Sequence, residues 1–143
     1  MSRSEPEANK RAAKRLFTAL QDADTEVIRE LIADGLVDHS PMFGRNAFER
    51  DNLIEAATTF RAAFPDVRIN TMHIVAEGDR VVVHEIVTGT NTGAFHGLAA
   101  TGRRMRVQAI HVLRFDGGRV AEHWSTRELD SMIAALPGGL GAR

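Results

Sequence analysis

Phe60-Arg61-Ala62-Ala63-Phe64-Pro65-Asp66-Val67-Arg68-Ile69-Asn70-Thr71 holds the point at which this chain changes its hydrophobic period. Before Pro65 the apolar residues recur at intervals of three and four, the spacing that lines one face of a helix. After it, Val67, Ile69 and Thr71 alternate with Arg68 and Asn70, and alternation is the signature of a strand with one buried face. Pro65 disfavours helical geometry at Phe64, so the break between the two regimes is sharp. Helices first and strands afterwards predict an α+β domain with helices covering one face of a curved antiparallel sheet.

Working back from Pro65, a helix is predicted from about Ala47 to Ala63, carrying Phe48, Leu53, Ile54, Ala57 and Phe60. Asp24 or Thr25 can cap a helix containing Val27, Ile28, Leu31 and Ile32, with Gly35 placed to end it. Ser4 and Glu7 have the form of a capping box for a first helix striped by Ala12, Leu16 and Leu20. Working forward, Glu77-Gly78-Asp79 separates the Val67 strand from Arg80–Thr90, and the two read as a hairpin. Thr92–Gly102, with three glycines among small residues, is predicted to be a loop. Strands at about Arg103–Phe115 and Arg119–Arg127 flank Asp116-Gly117-Gly118, and a short helix is expected near Leu129–Leu136. Val81–Val87 and Val107–Leu113 are apolar on both faces, which calls for a second cover over the sheet. A copy of the same sheet in a symmetric dimer would supply it.

The length of 143 residues suits one domain, expected over 1–136, followed by a tail at 137–143 too rich in glycine to order itself. Lys and Arg number 18 against 19 Asp and Glu, a net charge of −1 that gives no field to draw in nucleic acid. There is no cysteine, which excludes disulfides, thiolate nucleophiles and cysteine-ligated metals and suits a reducing cytoplasm. The N-terminal stretch lacks an apolar signal core, and no segment approaches the roughly 18 apolar residues that would make a membrane span, so no membrane partner is expected. Signature motifs of zinc proteases, serine hydrolases, dinucleotide folds and phosphate loops are missing. The histidines at 39, 73, 84, 96, 111 and 123 include no close pair at ligand spacing, so no metal site is predicted.

His111 lies in mid-strand, in Gln108-Ala109-Ile110-His111-Val112-Leu113, where its ring either faces a cavity or sits hydrogen-bonded in the core. On the last strand, alternation sends Glu122 and Trp124 to one face and His123 and Ser125 to the other. A two-residue turn at Gly117-Gly118 places Trp124 across from His111, whereas a three-residue turn with a glycine bulge places His123 there. Either neighbour leaves an imidazole able to donate and accept protons near neutral pH. His39, between Asp38 and Ser40-Pro41, sits where a short extended segment joins the helical half to the rest.

Taken in order, Val37-Asp38-His39-Ser40-Pro41, the stretch Phe60–Asp66, Ala76–Val81, Gly89–Gly93, Ala100–Arg103 and Gly118–Trp124 resemble the SnoaL-like polyketide cyclase family of the nuclear transport factor 2-like superfamily. The resemblance implies a cone-shaped α+β barrel in which a curved antiparallel sheet wraps around the N-terminal helices to enclose an apolar cavity, usually in a homodimer or higher oligomer. It also implies acid–base catalysis without metal or cofactor, in which an intramolecular aldol step closes a ring. The family's catalytic histidine falls on His111. Its aspartate, directly after the last-strand tryptophan, falls on Ser125, whose hydroxyl is no ordinary carboxylate base. Asp38 or Glu122 would then be the base, while His39, Phe60, His123, Trp124 and Ser125 would contact a small hydrophobic carbonyl substrate. A non-catalytic module binding a small apolar ligand and a purely structural dimerisation module are the other two readings.

Overall fold

The computed structural model describes residues 4–41 and 50–138. Helix α1 (Ser4–Asp22) leads into α2 (Thr25–Leu31), strand β1 (Ile32–Asp38), α3 (Arg50–Ala63), strands β2 (Arg68–Glu77), β3 (Arg80–Thr90), β4 (Arg104–Asp116) and β5 (Arg119–Arg127), and α4 (Asp130–Ala135). The change of period at Pro65 therefore marks the boundary between α3 and the β2–β5 meander. The expected start of α3 at Ala47 and Phe48, and the end of the predicted tail, lie outside the described residues. Asp24 is the cap of α2, its Oδ1 accepting from the Val27 amide at 3.3 Å.

Gly35 does not end a helix. Helix α2 stops at Leu31, and Ile32–Asp38 forms a strand that pairs in parallel with β5. Helical spacing at Ile28, Leu31 and Ile32 concealed the change, because Ile32 is buried as the first strand residue as well. The sheet order is β1-β5-β4-β3-β2, an open, curved sheet with β1 and β2 at its edges.

Two local devices set the geometry of the sheet near the site. Gly117 and Gly118 both have positive φ, at 58° and 81°, which the tight two-residue turn between Asp116 and Arg119 requires. Farther from the turn the pairing slips: Phe115 faces Val120 but Arg114 faces Glu122, so Ala121 is an extra residue in β5. As a result His111 lies opposite Ser125, and Leu113 opposite His123. This corrects both anticipated registers. A two-residue turn is present, as the first assumed, but the bulge returns His123 and Ser125 to the face of His111, while Trp124 and Glu122 go to the other.

The inner face of the sheet meets α1, α2 and α3 in a core that includes Leu16, Phe17, Ile28, Ile54, Val81, Val83 and Leu113. A second cluster joins Phe64, Phe95, Met105, Val107 and Met132 beneath α4. The 92–102 segment has no strand apart from an isolated bridge between Phe95 and Leu98. Fully buried Asn91 holds it in place: its Nδ2 donates to the carbonyls of Ala63 and Gly93 at 3.0 Å each, and its Oδ1 accepts from the Thr101 amide at 2.8 Å.

Candidate active site

A cavity of about 140 Å³ lies between α1, α3 and the inner face of the sheet. Its walls are mostly hydrocarbon: Leu16, Phe17 and Leu20 from α1, Leu53 and Phe60 from α3, and Val107 and Leu113 from β4. The polar groups in its lining are Glu85, His111, His123 and Arg127, contributed by three adjacent strands. The alternation of β3 is the reason Glu85 is inside, since it follows Val81 and Val83 on the inward parity.

These side chains form a continuous buried chain of hydrogen bonds. Asp38 Oδ1 lies 2.7 Å from His123 Nδ1, His123 Nε2 lies 2.8 Å from His111 Nδ1, and His111 Nε2 lies 2.7 Å from Glu85 Oε1. Asp38, His111 and Glu85 are each at most 6% exposed, so solvent does little to screen the chain. Phe17 covers the ring of His111, with centroids 5.0 Å apart.

Three hydrogen bonds need three protons. Burial, the largest influence on His123, pushes its imidazole below the ordinary value, with His111 and Arg127 acting the same way and Asp38 acting against them. For Asp38, burial acts upward and is the largest single influence. The hydrogen bond of His123, the charge its ring carries once protonated in acid, the Ser40 amide and Arg127 together outweigh it and hold the carboxyl below its ordinary value. Neutral His123 thus donates through Nδ1 to ionised Asp38 and accepts at Nε2 from His111. The third proton is shared between His111 Nε2 and Glu85 Oε1, where it can rest as an imidazolium–carboxylate pair or as a neutral pair.

The predicted site residues divide between the two faces of the sheet. Asp38, His111 and His123 join in the chain just described, and Phe60 lines the cavity. Ser125 shares their face, its amide donating to Ser40 Oγ at 2.9 Å, and its own hydroxyl is buried with no hydrogen-bond partner among the described residues. Glu122, His39 and Trp124 are on the outer face, and none of them lines the cavity. There His39 stacks on Trp124 with centroids 4.8 Å apart, while Glu122 bridges His39 Nε2 at 2.7 Å and Arg114 Nε at 2.8 Å. Those two partners, Arg114 first, hold the Glu122 carboxyl below its ordinary value. The cause is the Ala121 bulge, which fixes the parity of β5.

Sequence reasoning missed Glu85 and Arg127. Glu85 had a legible signal, an acid on the apolar parity of Val81, Val83 and Val87. Arg127, 2.9 Å from the Ser40 carbonyl through Nη1, had none, because its inward direction also depends on the bulge. Among the described residues, no group of three or more His, Cys, Asp or Glu side chains is arranged to hold a metal ion. Nor is any described helix long and apolar enough to cross a membrane.

The family model of SnoaL-like polyketide cyclases matches residues 10–136, and the chain belongs to that family. No curated protein sequence gives a significant match. Among solved structures, IdmH, a candidate polyketide cyclase from Streptomyces antibioticus, is similar at 28% identity and a TM-score of 0.76, covering 89% of this chain and 96% of its own. AclR, a candidate hydroxylase from Streptomyces galilaeus, is similar at 26% identity and a TM-score of 0.78, covering 96% and 83%. TsrD from Streptomyces laurentii shares the fold at 20% identity and a TM-score of 0.77, with 100% and 99% covered. A candidate cyclase and a candidate hydroxylase thus share this fold, and with the family match they support a role of that general kind for this chain.

Proposed function

We propose that this chain is a cofactor-independent acid–base enzyme that acts on a small hydrophobic carbonyl compound by aldol ring closure or isomerisation. The observation that carries this reading is the buried Asp38–His123–His111–Glu85 chain at the polar end of an otherwise hydrocarbon cavity. A fully structural role for four titratable groups would be a costly way to fill a core. An enolisation step needs a proton acceptor beside a carbonyl and positive charge or a proton near the oxygen that becomes negative. His111 is the centre of the relay, Asp38 positions His123, and Arg127 adds a cation to the same wall. The cavity is comparable to one that accepts a single aromatic ring, which favours compact substrates or one ring of a larger one.

The same reading includes a symmetric homodimer joined through the outer face of the sheet. Val37 at 40% exposure, Ile110 at 44% and Val75 at 60% stand on that face and support it.

The test is proton exchange at carbon. Wild-type protein in D2O should accelerate deuterium incorporation beside the carbonyl of 2-tetralone, followed by NMR, and should close the ring of a methyl-ester anthraquinone precursor. His111→Gln should slow these reactions by about a hundredfold, the usual scale for a lost acid–base group. His73→Ala, on the outer face, should leave them unaltered. Calorimetric binding of these compounds without any acceleration would replace the enzyme by a ligand-binding module, and neither binding nor acceleration would overturn the pocket reading.

A further inference from the structure

We propose that Glu85 is the general base of this site, its Oε2 taking the proton from the carbon beside the substrate carbonyl in place of a carboxylate at Ser125. The inference rests on the acid–base reading above and names the group that performs it.

Three observations lead to Glu85. First, all four imidazole nitrogens of His111 and His123 are already engaged, so neither ring can accept a substrate proton without breaking a hydrogen bond. Second, Glu85 lines the cavity at 4% exposure, and its Oε2 is buried with no hydrogen-bond partner among the described residues. A buried carboxylate oxygen left unsatisfied is unfavourable unless a ligand completes it. Third, the other carboxylates are unsuited. Glu122 is on the wrong face, and Asp38 is not in the cavity lining and binds His123 and the Ser40 amide through one oxygen.

In the imidazolium–carboxylate form of the pair, His111 Nε2–H donates to Oε1 and the charge on Glu85 is available at Oε2. The substrate C–H bond breaks, its proton bonds to Oε2, and its electron pair spreads onto the carbonyl oxygen as an enolate facing a cavity that also contains the Arg127 cation. In an aldol closure the enolate carbon then bonds to a second carbonyl carbon of the same molecule. The displaced π pair becomes an alkoxide, and this takes back the proton held by Glu85. No atom or electron is gained or lost overall, and the enzyme returns to its starting form.

The deciding experiment measures deuterium exchange of 2-tetralone by Glu85→Gln and Glu85→Asp. Glutamine can still accept from His111, so Glu85→Gln should bind the ketone within a fewfold of wild type while losing at least about a hundredfold in exchange rate. Glu85→Asp should recover part of that loss. Exchange by Glu85→Gln near the wild-type rate, with His111→Gln inactive, would overturn Glu85 as base and leave the enzyme reading intact. Equal losses in Glu85→Gln and Glu85→Asp, accompanied by matching losses of ketone affinity, would assign Glu85 a structural role and overturn the proposal. If Glu85→Gln does not fold, Glu85→Asp decides: a loss of exchange with ketone affinity unaltered upholds Glu85 as base, and a matching loss of both overturns it. Absence of exchange in the wild type would instead remove the enzyme reading itself.

Discussion

At His123, burial and a neighbouring carboxylate oppose each other, and burial prevails. The imidazole is held below its ordinary 6.5, so in the acidic window beneath that value the unfolded chain binds a proton that the folded chain resists. Stability therefore falls as pH drops below about 6.5 toward the lowered value. Asp38 acts in the same direction at lower pH: the stability from its depressed carboxyl is present above 3.8 and lost as pH falls through the folded value. A melting-temperature series from pH 8 to pH 3 should show two successive declines. His123→Gln should remove most of the first and retain an acid limb below 4. A series with no decline between pH 7 and pH 5 would show that the folded state accommodates a charged His123.

Among the elements, the junction of α3 with the segment after β3 has the least room. A Cβ built on Gly93 would sit 1.8 Å from the carbonyl oxygen of Ala62, and the Gly93 amide donates to the Ala63 carbonyl at 3.2 Å. The neighbour is backbone and cannot turn aside as a flexible side chain would. Gly93→Ala should consequently cost about 3 kcal/mol, read from urea denaturation, by forcing the loop away from the helix. A loss below 0.5 kcal/mol, by the same rough scale, would mean the loop has room to move. The sequence exposed this loop only as a glycine-rich interval, because the need for close approach comes from a tertiary partner. Pro65, by contrast, acts through local backbone sterics, so it marked the boundary of α3 directly. Local patterns likewise exposed β2 through β5. They obscured β1, whose burial at Ile32 and Leu36 is compatible with a helical spacing. The site was legible to the extent that parity was: His111 was placed by its own strand, whereas the inward direction of His123 waited on a bulge that no residue type announces.

For the whole molecule, the inner face is covered by its own helices, and the outer face is where the proposed second copy would pack. Burial of Ile110 and Val75 against a partner would contribute about 25 cal/mol for each Å² of apolar surface removed from water. Sedimentation at low micromolar concentration should then give twice the chain mass of 15.7 kDa. Ile110→Asp, at a position 44% exposed in the single chain, should return the species to one chain with little change in its fold. A wild-type protein that sediments as one chain at these concentrations would reject the dimer.

The extra residue at Ala121 also bears on how such a site could change over evolutionary time. Loss of that single codon would leave Glu122 opposite Arg114 in an unbroken ladder, so His123, Ser125 and Arg127 would keep their inward direction. Straightening the bulge with Ala121 retained has the opposite effect: Ala121 would pair with Arg114, carrying His123, Ser125 and Arg127 outward and Glu122, Trp124 and Thr126 inward. The inherited wall of this site therefore tolerates a deletion at the kink, while a change that irons the kink out at constant length would exchange the whole set of groups facing the substrate.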